Sequence, residues 1–307
     1  MSISTKVVFN RKTMEQVTES RRKPIVVGIG ELLWDMLPSG KKAGGAPINF
    51  VYHASCLGAE GYAISAVGDD ELGKEIVDEL DKNHIQHLIE KVPYPTGTVQ
   101  VELREGIPTY TIHERVAWDH ISPTSDAIDL AEKADAICFG TLAQRSRQSR
   151  ETIQAISSFA PKDAYRLLDI NLRQQTISDD KELIEESLYL ANVLKVNDEE
   201  FNVLRDLFGL NGTEREVALW FIEKYGLRMF VLTAGSSHST IYTREEISTL
   251  PTPEVTVADT VGAGDAFSGA LIISLLKGKS LSEAHHFAVK TAAFVCTKEG
   301  AWPVYEE

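Results

Sequence analysis

Two periods run through the apolar and polar positions of this chain, and the places where one gives way to the other predict its layout. From about residue 126 onward, short apolar runs alternate with helical spacing: Ala136 to Gly140, Tyr165 to Ile170, Leu190 to Val196 and Arg228 to Thr233 read as strands, and Arg150 to Ala160 as a helix. Asn197-Asp-Glu-Glu200 opens a further helix. The same rhythm begins upstream. Pro24 to Gly30 is a buried strand with Glu31 and Asp35 beyond its carboxyl end. Phe50, Val51, Ala54 and Leu57 form a helix face that Gly58 closes, Tyr62 to Val67 is a strand, and Gly68 to Gly73 starts the next helix with Asp69 and Asp70 as caps. Strands alternating with helices predict a mainly parallel sheet whose loops gather along one edge.

Residues 97 to 118 break that rhythm. Thr98, Gln100 and Glu102 alternate with Val99, Val101 and Leu103, Arg104-Glu-Gly106 turns, and Thr109 to His113 alternates again. A two-faced hairpin needs a cover, so it predicts a small lid sheet, with His113 and Arg115 on the return strand and one face left for a second subunit, as in a homodimer. Near the end of the chain, Val255-Thr-Val257 reads as the last residues of a strand. Ala266, Phe267, Ala270, Leu271, Ser274 and Leu275 then recur at helical spacing until Gly278. Gly262-Ala-Gly264 therefore sits where a loop becomes a helix.

Composition narrows the class. The 307 residues are 43% hydrophobic and 25% charged, which permits one large α/β domain or two smaller ones. A formal charge of −14 argues against non-specific binding of nucleic acid or an anionic membrane, since both require basic surface. Cys56, Cys138 and Cys296 are too few and too scattered for a zinc site or a disulfide framework. Residues 1 to 23 carry Lys6, Arg11, Lys12, Arg21, Arg22 and Lys23 against Glu15 and Glu19, and lack a secretory apolar core. They read as an extension outside the catalytic fold, which is expected to span 24 to 307 in the cytoplasm, with lid segments near 34–43 and 97–118.

The chemistry concentrates around Asp265. The glycines before it let the backbone turn and leave space for a bulky ligand, and the first helical turn offers N–H groups and a dipole to an anion. A carboxylate beside a bare anion site is repelled; at a phosphoryl-transfer site it can accept the proton of the attacking hydroxyl. The competing reading is a helix start with an ordinary acidic residue in its first turn. Arg173, after the strand ending at Ile170, could grip a phosphoryl group bidentately. Gly28-x-Gly30 is no dinucleotide fingerprint: the third glycine is missing, and Leu32-Leu-Trp34 stands where a helix should begin.

Asp259-Thr-Val-Gly-Ala-Gly-Asp-Ala-Phe-Ser-Gly-Ala270 with Leu271 resembles the C-terminal signature of the ribokinase-like (PfkB) family of sugar kinases, and Gly44-Gly-Ala-Pro-Ile-Asn49 resembles its N-terminal one, with a leaning towards fructokinases. The resemblance runs from about Pro24 to Trp302 and implies an α/β fold of ribokinase-like type, a central mainly parallel sheet flanked by helices under a small β lid. It implies Asp265 as general base, Gly262, Ala263 and Gly264 as anion hole, and Arg173 on the phosphoryl group. Asp35, Gly44, Gly45 and Asn49 would line the sugar pocket. Asn197, Thr233 and Gly235, with Gly262 and Gly264, would meet ATP. Glu200 and Asn197 would organise Mg²⁺ largely through water, and Asp259 could serve a monovalent cation such as K⁺. His238 stands where the family usually has a glycine, which bears on the path of the nucleotide loop.

Fructose is the first substrate these features suggest. A kinase for 2-keto-3-deoxygluconate is the alternative, motivated by Arg115 and Arg173. A non-catalytic sugar or nucleotide sensor on the same scaffold is the alternative of another class, and an intact Asp265 speaks against it.

Overall fold

The computed structural model describes residues 22–37, 40–104, 107–172 and 180–305. Arg173 and residues 1–21 of the extension lie outside these. The described chain starts at Arg22, whose guanidinium pairs with both oxygens of Asp135, while Asp135 Oδ2 also accepts from Ile25 N.

Thirteen strands among the described residues form two sheets. The larger contains β1 (Ile25–Ile29), β4 (Glu60–Gly68), β5 (Gln86–Val92), β8 (Ala136–Phe139), β9 (Tyr165–Asp169), β10 (Val193–Asn197), β11 (Met229–Ala234), β12 (His238–Tyr242) and β13 (Ile247–Pro251). Their order across the sheet is β13-β12-β11-β10-β9-β8-β1-β4-β5, parallel from β5 to β11 and antiparallel at β12 and β13. The smaller sheet pairs β2 (Leu33–Leu37), β3 (Gly40–Gly44), β6 (Gly97–Arg104) and β7 (Ile107–Ile112) in the order β3-β2-β6-β7. The expected hairpin at 97–118 and the lid segment near 34–43 thus join in one four-stranded sheet.

Strand alternation sorts the core onto two faces. Val27, Ile29, Ile137, Phe139, Leu168, Leu194, Val196, Phe230 and Leu232 point to one cluster, which is covered by α3 (Ser125–Ala131), α4 (Arg147–Ser158), α5 (Lys181–Leu190), α6 (Asp198–Leu207) and α7 (Glu214–Tyr225). Val26, Cys138, Leu167, Val193, Met229 and Val231 point to the other, beneath α1 (Ala46–Cys56), α2 (Glu71–Lys82), α8 (Ala263–Leu276) and α9 (Leu281–Cys296). A sheet buried on both faces explains why its strands read as continuous apolar runs. The chain leaves β1 towards β4 on one side and runs β8, β9, β10 on the other, so a crevice opens at the carboxyl ends of β1 and β8, where ligands of such sheets bind.

Several element expectations are corrected. Val255 to Val257 is not strand: β13 ends at Pro251, and Pro253 has no N–H to extend a ladder. Leu190 ends α5 rather than starting β10, and Asn192 marks the boundary by accepting from Arg166 N and donating to Ala164 O, both at 2.8 Å. His113 and Arg115 lie beyond β7, not on it, Arg115 with a left-handed φ of 57°. The loop at His238 closes without a further glycine: Gly235 takes φ 48°, Ser237 N donates to Ala234 O at 2.8 Å, and His238 opens β12 opposite Ala234. Asp70 is a cap in full, its carboxylate accepting from Gly73 N, Thr96 N and Thr96 Oγ1.

Candidate active site

Two helix mouths face the crevice. The first belongs to α1. Gly45 is its N-cap at φ 119°, and a Cβ there would meet Glu31 O at 2.0 Å, so the backbone passes where only glycine fits. Glu31 Oε1 accepts from Ala46 N at 3.2 Å, placing a carboxyl group at the positive end of the helix. Next door, the Asp35 carboxylate lies over Gly44, close enough that a Cβ there would be 2.9 Å from Oδ2. Asn49, buried one turn into α1, sends its Nδ2 to Asp265 Oδ2 at 2.8 Å.

The second mouth belongs to α8. Gly262 caps it at φ 77°, with no side-chain cap, against Ala301. Ala263 N donates to Thr260 O at 3.3 Å, and the other N–H groups of this first turn have no acceptor within the helix. Ala263 is therefore the least available of the three expected anion-hole donors. Asp265 sits in the same turn. A carboxylate and peptide N–H groups at one mouth can take a proton from a hydroxyl while holding an anion.

Lys195 completes this mouth. It is buried in β10, donates to Asp169 Oδ2 at 2.7 Å, and its Nζ would lie 3.1 Å from a Cβ on Gly264. Burial alone would pull its ammonium down, but Asp169 first, then Asp265 and Glu200, hold it above the ordinary lysine range. The sequence shows Lys195 only as a residue two positions before Asn197, and Asp169 only as a strand end. A lysine inside an apolar strand run was the signal, since such a charge has to be paired.

Glu31 stands apart. Burial pushes its carboxyl up to about 7, Asp265 and Asp169 add to this, and backbone N–H groups oppose it. Its buried Oε2 has no hydrogen-bond partner among the described residues.

The nucleotide-side candidates line the ends of β10 and β11. Asn197 and Glu200 form a capping box: Asn197 Oδ1 accepts from Glu200 N at 2.8 Å, and Glu200 Oε2 from Asn197 N at 2.9 Å. Glu200 Oε1 also accepts from Leu172 N at 3.1 Å. With both oxygens anchored by backbone, Glu200 is suited to a hydrated ion more than to direct ligation. Among the described residues no group of three His, Cys, Asp or Glu side chains is placed to hold a metal ion. Thr233 Oγ1 reaches Val196 O at 3.4 Å, and Gly235 turns into β12. Asp259 joins the loop before α8 to the C-terminal stretch, Oδ1 accepting from Val261 N at 3.1 Å and Oδ2 from Gly300 N at 2.9 Å. No helix among the described residues is long and apolar enough to cross a membrane.

A family model described as pfkB family carbohydrate kinase matches residues 39–306. An uncharacterized sugar kinase from Pyrococcus horikoshii is 29% identical over 297 residues, 91% of this chain and 92% of its own. The crystal structure of that protein in complex with ATP matches with a TM-score of 0.75 at 28% identity, over 91% of this chain and 94% of the other. Fructokinase-1 of Oryza sativa subsp. japonica is 28% identical over 312 residues, 92% of this chain and 94% of its own. The structure of a fructokinase from Vibrio cholerae O395 in its fructose, ADP and calcium ion bound form has a TM-score of 0.76 at 24% identity, covering 91% of this chain and 94% of the other, a likeness of fold.

Proposed function

We propose that this chain, which belongs to the pfkB family of carbohydrate kinases, transfers the terminal phosphoryl group of ATP to a hydroxyl of fructose. That it is a sugar kinase follows from the family; fructose is the finer reading. The observation that carries the mechanism is the α8 mouth, where Asp265, the first-turn N–H groups and the Lys195 ammonium stand together.

In this reading Asp265 takes the proton of the sugar hydroxyl as the new P–O bond forms, since a carboxylate of ordinary basicity, ~4 in pKa, cannot strip an alcohol beforehand. Gly262 and Gly264, with Ala263 as the weaker contributor, offer N–H groups to the charge developing on the phosphoryl oxygens. Lys195, against Gly264, adds a full positive charge, and Asp169 keeps it in place. Asp35, Gly44, Gly45 and Asn49 hold the sugar, and the four-stranded sheet that carries Asp35 and Gly44 excludes water from it. Asn197, Thr233 and Gly235 hold the nucleotide. Mg²⁺, when bound on the phosphates, neutralises their charge, and Glu200 would orient its water shell. Asp259, where loop and C-terminal stretch meet, is the proposed ligand of a monovalent cation. Arg173 keeps its proposed role on the phosphoryl group, and a second copy of the chain is proposed to pack on the outer face of the lid. The reading places the enzyme in the cytoplasm with its ATP.

Support for fructose comes from the GGAPIN wording at residues 44–49 and from the rice relative bearing the name fructokinase. Arg115, exposed beyond β7 in a turn, gives a sugar-acid carboxylate no preformed pocket. ADP release measured with Mg-ATP and either fructose or 2-keto-3-deoxygluconate decides between them. Turnover on fructose is expected; turnover confined to the sugar acid would reject it.

A further inference from the structure

One strap of chain, Gly300 to Tyr305, touches both helix mouths. Gly300 N holds Asp259, and Ala301 packs against Gly262, where an added Cβ would come within 2.8 Å of the Ala301 Cβ. Trp302 then crosses to α1, its indole Nε1 donating to Asn49 Oδ1 at 2.8 Å. The other end of the same amide, Nδ2, donates to Asp265 Oδ2 at 2.8 Å.

The two ends of an asparagine amide look alike in shape, and only their hydrogen bonds tell them apart. An indole nitrogen can donate but never accept. The Asn49 atom that meets Trp302 therefore has to be the oxygen, and the NH₂ is forced towards Asp265. Were the amide reversed, its oxygen would face the carboxylate and its NH₂ the indole N–H, so both contacts would be repulsive. The strap holding the indole is itself fixed: Trp302 stacks on Tyr52 with centroids 5.4 Å apart and planes 8° from parallel, Tyr52 OH donates to Pro303 O at 2.7 Å, and Tyr305 OH meets His53 Nδ1 at 2.7 Å.

We propose that Trp302 is a positioning residue for phosphoryl transfer: it locks the Asn49 amide so that its NH₂ aims the Asp265 carboxylate and holds it as an acceptor. This rests on the reading of Asp265 as the base. A hydrogen bond donated to the ionised carboxylate favours that form, so losing it raises the pH at which the base becomes competent. The other charged groups around Asp265, namely Glu31 beyond β1, Asp169 at the end of β9 and Lys195 on β10, are chemically unchanged by substitution at 302.

The test is the pH profile of kcat for ADP release with the turned-over sugar. Trp302→Phe keeps a ring on Tyr52 and removes the N–H. Losing the lock is expected to lower kcat about threefold to tenfold, the range for one hydrogen bond, with the KM for ATP unchanged. The acid limb of the profile should move up by roughly half to one pH unit. Asn49→Ala, which has no NH₂ to donate and adds no charge beside Asp265, should move the limb the same way, and serves even if the phenylalanine variant does not fold. In an Asn49→Ala background, Trp302→Phe should shift the limb no further. Tyr52→Phe, which frees Pro303 but spares the indole, should leave it in place. An unmoved limb in Trp302→Phe, an undiminished shift in the Asn49→Ala background, or an equal shift from Tyr52→Phe overturns the proposal. Asp265→Asn, measured alongside, separates the two claims. Wild-type turnover in that variant removes the base itself; lost turnover with an unmoved limb in Trp302→Phe removes only the positioning role.

Discussion

A carboxyl group buried among other acids can lower its cost by keeping its proton, and Glu31 is in that position. Its folded pKa of about 7 lies above the ordinary 4.5, so between those values the folded chain holds a proton that the unfolded chain has released. The stability this gives is fully present below about pH 4.5 and is lost as pH rises towards 7. Denaturant midpoints at pH 5 and pH 8 should show wild type losing on the order of 2–3 kcal/mol relative to Glu31→Gln; parallel behaviour of the two proteins would show that Glu31 is ionised throughout. At this scale the sequence was readable where chemistry is written in consecutive residues. Asp265, Gly262, Gly264, Gly45 and Asn49 all fall inside two long motifs. Lys195, Glu31 and Trp302 were not readable in their roles, because burial and partner choice are tertiary facts: the indole of Trp302 finds its acceptor 253 residues away.

Between elements, the least legible link is the one tying the end of the smaller sheet to the larger one. Arg145, in the short 3₁₀ turn Leu142–Arg145 after β8, pairs bidentately with buried Asp119 at 2.8 and 2.9 Å and donates to His113 O at 2.6 Å, just past β7. Its guanidinium also stacks on Trp118 at 3.8 Å. Removing one partner of a buried ion pair strands the other charge, so Arg145→Ala should cost about 3–5 kcal/mol of unfolding free energy. A change under about 1 kcal/mol, the level of a surface pair, would show that Asp119 is solvated. Strand period gave the β6–β7 hairpin because apolar and polar residues alternate along its first strand from Thr98 to Leu103, and the described Val99 packs with Leu33 of β2. The antiparallel pair β12–β13 escaped because Ile247 to Pro251 is short, has no buried position, does not alternate apolar with polar residues and is closed by proline, so an edge strand of this kind carries little apolar signal.

Over the whole molecule, the order in which strands and helices alternate was enough to give a mainly parallel sheet, and the change of period gave part of the small separate sheet. What that rhythm could not supply is where the two helix mouths meet, because α1 and α8 are separated by most of the chain and are brought together only by packing on the same face of the sheet. The central claim is that this meeting point is a centre of phosphoryl transfer with Asp265 as its base, and not a sugar or nucleotide sensor. The most direct measurement compares ligand binding and turnover in one variant: calorimetric titration of Asp265→Asn with a non-hydrolysable ATP analogue and with the sugar, beside its rate of ADP formation. The account predicts both affinities within a few-fold of wild type and a rate lower by on the order of 10²–10⁴; ADP formation within a few-fold of wild type would contradict it.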